Sequence, residues 1–85
     1  MNGHAATWVH MTMNGTTRCF GYTGTLYFSG NNTTRFCAGN NYGTLKYWKN
    51  NTYYSLGFTN GTNVNLGGVD VALLTINGWR GNNTC

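Results

Sequence analysis

The sequence predicts a single all-β domain, and three observations lead there. No window of eleven or more residues repeats apolar positions at helical spacing without Gly or Asn interrupting it. Turn-forming groups recur at short intervals, at Asn14-Gly15, Gly30-Asn31-Asn32, Gly39-Asn40-Asn41, Asn50-Asn51, Asn60-Gly61, Gly67-Gly68 and Asn77-Gly78. Strand-length segments between such turns indicate a β-sandwich or barrel. Third, the 85 residues hold 14 Asn, 14 Thr and 13 Gly, no Pro, and only 11 Leu, Ile and Val together, against 13 aromatics. Aromatic rings must therefore carry much of the core, since each buries on the order of 150–250 Å². A domain this small has a marginal core and needs something to supplement it.

The turns delimit the strands. The first is expected at Ala5–Met13, ending at Asn14-Gly15. Arg18–Phe20 and Thr25–Phe28 follow, before Gly30-Asn31-Asn32. Thr34–Ala38 lies between that turn and Gly39-Asn40-Asn41. Thr44–Trp48 runs toward Asn50-Asn51, and Tyr53–Phe58 runs from there to Asn60-Gly61. Val64–Leu66 stops at Gly67-Gly68, and Val69–Ile76 stops at Asn77-Gly78. Alternation along Leu45-Lys46-Tyr47-Trp48 places Leu45 and Tyr47 on the inner face, Lys46 and Trp48 on the outer. Val69–Ile76 is apolar on both faces, as in a central strand covered on both sides or one carrying a bulge. Residues 1–4 and 78–85 are expected to be an irregular arm and tail. The halves of the chain overlay only through their Gly-Asn-Asn turns, which is too little to define a repeat.

Arg18, Arg35, Lys46, Lys49 and Arg80 face a single acid, Asp70, for a net charge of +4. Such a surface favours polyanions, acidic cell walls or anionic lipid. Lys46 and Lys49 bracket Trp48, but no basic run or helical array is present for a nucleic-acid groove, so no nucleic-acid partner is expected. No window reaches the ~18 apolar residues of a membrane span. The N-terminus lacks the charged and apolar regions of a secretory signal. With this composition the chain is expected to be the mature form of an exported protein.

Catalysis lacks parts. Glycosidase chemistry needs two carboxyl groups, and Asp70 stands alone. Ser29 or Ser55 with His4 or His10 and Asp70, or Cys19 or Cys37 with His10, has no framing motif. The expectation is a protein that is not an enzyme, with Asp70 accepting backbone or Arg hydrogen bonds. His4 and His10 share a face of an extended strand but stand ~20 Å apart, too far to hold one metal. Aromatics on a β-surface are more promising, because ring faces stack on sugars while Asn and Thr bind hydroxyls. The candidates are Tyr47, Trp48, Tyr53, Tyr54 and Trp79, with Lys46, Lys49 and Arg80 among them. Tyr47 is expected inside, and Trp48 and Trp79 are the pair to test. Asn-x-Thr sequons occur at Asn14, Asn31, Asn32, Asn50, Asn60 and Asn82.

Three segments carry a resemblance: Cys19-Phe20 with Gly24-Thr25 behind it, Arg35-Phe36-Cys37-Ala38-Gly39-Asn40-Asn41, and Thr44-Leu45-Lys46-Tyr47. In that order and spacing the chain resembles the single-domain βγ-crystallin-like proteins secreted by streptomycetes, the killer-toxin-like and antifungal group. The likeness runs from about Thr17 to Trp48 and returns near Val69 to Ile76. It implies one Greek-key β-sandwich of βγ-crystallin type, whose closure covers most strand edges. It also implies a disulfide from the Cys before Phe to the N-terminal arm, but the arm here has no Cys. Cys85 is the natural substitute partner, with Cys19–Cys37 as the other arrangement. Cys19, Cys37 and Cys85 permit one bridge with a thiol left over, or pairing between chains.

Many crystallin-type domains bind calcium through paired Asn or Asp followed by Ser or Thr. Asn40, Asn41 and Thr44 match in part, but Leu45 takes the final place and no acid is near. Neutral Asn alone implies weak calcium binding at best. The resemblance thus implies a basic, secreted, non-enzymatic antimicrobial protein, a monomer or a Cys-linked dimer. It would bind a fungal wall polysaccharide such as chitin, or an anionic cell surface, through Lys46, Trp48, Lys49, Tyr53, Tyr54, Trp79 and Arg80. The alternatives within the wider superfamily are a proteinaceous metalloproteinase inhibitor and a structural or weakly calcium-binding microbial crystallin.

Overall fold

A computed structural model describes residues 6–85. The first four residues of the expected arm, His4 among them, and Ala5 of the expected first strand lie outside the described residues. Seven strands are present: β1 (Val9–Met13), β2 (Thr16–Phe20), β3 (Gly24–Tyr27), β4 (Thr33–Cys37), β5 (Asn41–Lys49), β6 (Thr52–Phe58) and β7 (Asn63–Trp79). No α-helix occurs among the described residues. Each strand read from the sequence has a counterpart, with the last two fused into one long strand and the first shortened, since Ala6 and Thr7 form a 3-10 turn and β1 begins at Val9. β7 runs on to Trp79, two residues into the expected tail.

All pairings are antiparallel, in the order β2-β1-β4-β7-β5-β6 with β3 also on β7. β7 joins two groups of strands. Its first part, up to Val69, pairs with β4, and its second part pairs with β3 and β5. Near the end of the first part Gly67 and Gly68 take φ of 75° and 99°, a region that favours glycine. The residues Leu66 to Gly68 are skipped in the register with β4.

The connections repeat although the sequence does not. β1 and β2 form a hairpin, β3 crosses to the other group, and β4 returns beside β1. β5 and β6 form a hairpin, the start of β7 crosses to the first group, and the rest of β7 returns beside β5. Each hairpin turns on two residues with positive φ, Asn14-Gly15 and Asn50-Asn51, as a two-residue turn matched to strand twist requires.

The two groups enclose one core: Val9, Met11, Met13 and Phe36 from the first, Leu45, Phe58, Val71, Leu74 and Ile76 from the second. Phe36 on β4 meets Phe58 on β6 edge to face at 4.8 Å, although β7 and β5 separate their strands in the sheet order. Aliphatic and methionine side chains fill more of this core than expected. Phe36 and Phe58 are its buried rings, while Phe20, Phe28 and Tyr47 pack at its border.

The run that is apolar on both faces resolves into two alternating strands. A register shift opposite Lys46 and Tyr47 leaves Ala72 as an extra residue, so Val69 and Val71 point inward before it and Leu74 and Ile76 after it. Near the bulge, the buried Asn31 side chain pairs with the Val71 backbone in both directions. Gly43 is required by the approach of β7, because a Cβ there would collide with the Thr75 carbonyl.

The disulfide is Cys37–Cys85, with Cα atoms 6.0 Å apart, and Cys19 is a free thiol. This corrects both expected pairings of Cys19. β1 intervenes between Cys19 on β2 and Cys37 on β4, so their Cα atoms stand about 9.6 Å apart, two strand spacings, beyond the ~7 Å a bridge spans. The tail brings Cys85 to Cys37 instead.

Candidate binding face on the β5–β6 hairpin

β5 and β6 pair from Gly43–Phe58 to Lys49–Thr52, setting Leu45 opposite Leu56, Tyr47 opposite Tyr54, and Trp48 opposite Tyr53. Leu45 is buried and Tyr47 packs against the core. Beyond them the hairpin carries rings on both faces. Tyr47 and Tyr54 stack at 5.5 Å on the inner side, and Trp48 and Tyr53 meet at 4.7 Å on the outer. Pairs of this kind are worth roughly 0.5–1.5 kcal/mol beyond their buried area, so the rings hold each other in place. Trp48 nevertheless keeps 47% of its surface exposed.

Cross-strand partners share a face, so the register extends the outer surface across four strands. Tyr27, Leu73, Lys46 and Ser55 form one row, and Thr25, Thr75, Thr44 and Gly57 form the next. The hydroxyls of Thr25 and Thr75 share a hydrogen bond at 2.9 Å. Asp70 lies beside Trp48, but its Oδ1 accepts the Gly30 N–H at 2.8 Å, the structural role expected of it. The result is an open, pleated surface of rings, hydroxyls and one ammonium group, Lys46. Lys49 stands at the hairpin tip.

Trp79 and Arg80 belong elsewhere. Trp79 pairs with Asn41 at the far end of β5, roughly 23 Å along the strand from Trp48. The Arg80 guanidinium lies 4.4 Å from the Tyr42 ring centre. Trp79, 68% exposed, borders an open pocket of about 250 Å³ with Thr7, Trp8, Gly21, Asn40 and Asn41. The structure therefore brings together Lys46, Trp48, Lys49, Tyr53 and Tyr54 and places Trp79 and Arg80 at a second position.

The partial calcium signature does not converge. Asn41 is buried, and its amide donates to the carbonyls of Thr7 and Ala38; the Asn40 amide donates to Gly81 O. Thr44 is three residues from Asn41 on a regular strand, hence on the opposite face. Among the described residues no three His, Cys, Asp or Glu side chains gather as a metal site.

Sequence reasoning missed Trp8, Tyr22 and Tyr27. Tyr27 joins the outer face only through the pairing of β3 with β7. The Trp8 ring lies on Gly21 so closely that a Cβ there would enter it, and it meets Tyr22 at 6.0 Å. No spacing in the chain marks these contacts, which join segments far apart in sequence. Comparison with protein-family models, with characterised proteins and with solved structures returned no match for this chain.

Proposed function

We propose that this protein is a secreted, non-enzymatic killer-toxin-like or antifungal protein of βγ-crystallin type that binds the wall or surface of competing fungi. The observation that carries the binding is the exposed Trp48–Tyr53 pair, backed by Tyr47–Tyr54 and flanked by Lys46 on a hydroxyl-lined sheet. Rings fixed at that spacing offer flat apolar faces to sugar rings, and the Thr and Ser hydroxyls offer partners to their hydroxyl groups. A neutral wall polysaccharide such as chitin suits such a face, and the net charge of +4 adds a long-range pull toward anionic walls.

The crystallin-type reading draws support from the connections. Each half has a hairpin, a strand given to the other half, and a strand returning beside the first, an order that supports a reading as paired Greek keys. The Cys37–Cys85 bridge fits an oxidising, exported setting.

The test is retention on insoluble chitin and on intact fungal walls at low and high salt. Retention that survives salt and fails in Trp48→Ala supports the stacking face. Retention lost in salt reduces it to charge. No retention at either salt sinks wall binding, and loss of activity of a metalloproteinase on mixing would then favour the inhibitor.

A further inference from the structure

The three cysteines meet on one side of the first strand group. His10 on β1 is in register with Cys19 on β2 and with Cys37 on β4, so the three side chains form a row across one face. That face points away from the core, into which the neighbouring Met11 projects. Cys85 arrives on the same face: its backbone N–H donates to Ala6 O, and its Sγ lies 3.6 Å from Trp8 O. The His10 Nδ1–H donates to that same carbonyl at 2.8 Å, because a carbonyl oxygen can only accept. Neutral His10 therefore keeps its Nε2 as a proton acceptor within the row.

Cys19 and Cys37 are fixed in strands two spacings apart and cannot bridge each other. Cys85 lies beyond the last strand and is already bonded to one of them. Cys19 is half-buried and borders an apolar pocket of about 210 Å³ with Trp8, Tyr22 and Leu26.

We propose that Cys19, Cys37 and Cys85 form an internal thiol–disulfide exchange site in which Cys85 passes between Cys37 and Cys19 across His10. The Cys19 thiol loses its proton to water or to His10 Nε2, and the thiolate attacks Cys85 Sγ. The Cys19–Cys85 bond forms as the Cys37–Cys85 bond breaks, and Cys37 leaves as a thiolate that takes up a proton. One disulfide and one thiol are present before and after, so no oxidant or reductant is needed. Exchange carries the C-terminal segment across β1, closes the thiol on β2 and uncovers one on β4. This inference does not depend on wall binding.

Trypsin sites separate the three residues, because Arg18, Arg35, Lys46 and Arg80 bracket them. The oxidised protein is held at pH 8 without added thiol or oxidant, quenched in acid, alkylated with N-ethylmaleimide and mapped by mass spectrometry under non-reducing conditions. The expected result is label divided between the Cys19 and Cys37 peptides, with Cys85 bonded to whichever is unlabelled. Label confined to Cys19 would overturn the proposal. In a second arm, Cys37→Ser is refolded in a glutathione redox buffer, whose disulfide form is reduced as the protein is oxidised, and is expected to form a monomeric Cys19–Cys85 bridge. A folded Cys37→Ser chain holding Cys19 and Cys85 as free thiols, or only as links between chains, would also overturn it. Should that variant not fold, the map of the unaltered protein decides alone.

Discussion

Asn31 takes the place of a strand for Val71. Its Nδ2 donates to Val71 O at 2.8 Å, its Oδ1 accepts the Val71 N–H at 2.9 Å, and the Thr33 hydroxyl also donates to Oδ1 at 2.7 Å. Next to a bulge the ladder cannot supply both partners, and a carboxamide carries the same donor and acceptor as a peptide group. With Asn31 only 5% exposed, water does not replace it easily.

Asn31→Ala is therefore expected to orphan both Val71 backbone groups, at about 1–3 kcal/mol each. For a domain of this size, 2 kcal/mol corresponds to a Tm lower by roughly 8–16 °C, measured by thermal denaturation. A loss of less than about 4 °C would mean that the bulge finds other partners. The same burial keeps the Asn31 sequon from carrying a glycan in the folded chain, whereas the exposed Asn14 and Asn50 are open to it.

Gly43→Ala tests the approach of β5 to β7. The added methyl would meet the Thr75 carbonyl, and that contact is backbone, which cannot swing aside. Overpacking of this kind costs about 1–3 kcal/mol. Gly57→Ala, on the neighbouring strand with open space around its Cβ, is expected to change Tm by only a few degrees and serves as the control.

Trp48→Ala is expected to weaken retention on chitin about tenfold, the loss of one well-placed aromatic contact of ~1.4 kcal/mol. Its fold should survive, since Trp48 lies outside the buried core that contains Leu45, Leu74 and Phe58. Trp79→Ala is expected to leave retention within about twofold, because Trp79 stands at the other end of β5. Equal losses in both variants would point to a ligand spanning the whole strand, and a loss in Trp79→Ala alone would move the site to the pocket beside Trp8.

Reduction removes a bridge closing a separation of 48 residues, worth about 4 kcal/mol in the chain-entropy model. A Tm drop of at least about 15 °C in reductant is expected, with Cys85→Ser showing a similar loss. An unchanged Tm would assign the closure of the tail to its hydrogen bonds alone, such as Cys85 N–H to Ala6 O and Asn60 Nδ2 to Asn83 Oδ1.

Much of the architecture was legible along the chain because it is set locally. Asn14-Gly15 and Asn50-Asn51 accept positive φ wherever they occur, so the hairpins could be read from them. Period-two alternation likewise placed Leu45 and Tyr47 inside and Trp48 outside, and the pairing of Tyr53 and Tyr54 with Trp48 and Tyr47 follows from a two-residue turn between them. The local candidates Lys46, Trp48, Lys49, Tyr53 and Tyr54 thus emerged together.

What only the tertiary structure decided depends on which strands become neighbours. Tyr27 reaches the outer face through β7, and Trp79 is carried away from Trp48 by its pairing with Asn41 at the other end of β5. Most clearly, β1 stands between Cys19 and Cys37, and the tail bonds Cys85 to Cys37. Turn chemistry and side-chain alternation act over two to four residues and are written in the chain. Strand order is settled by burial of one shared core, a property of the whole chain that no short segment contains.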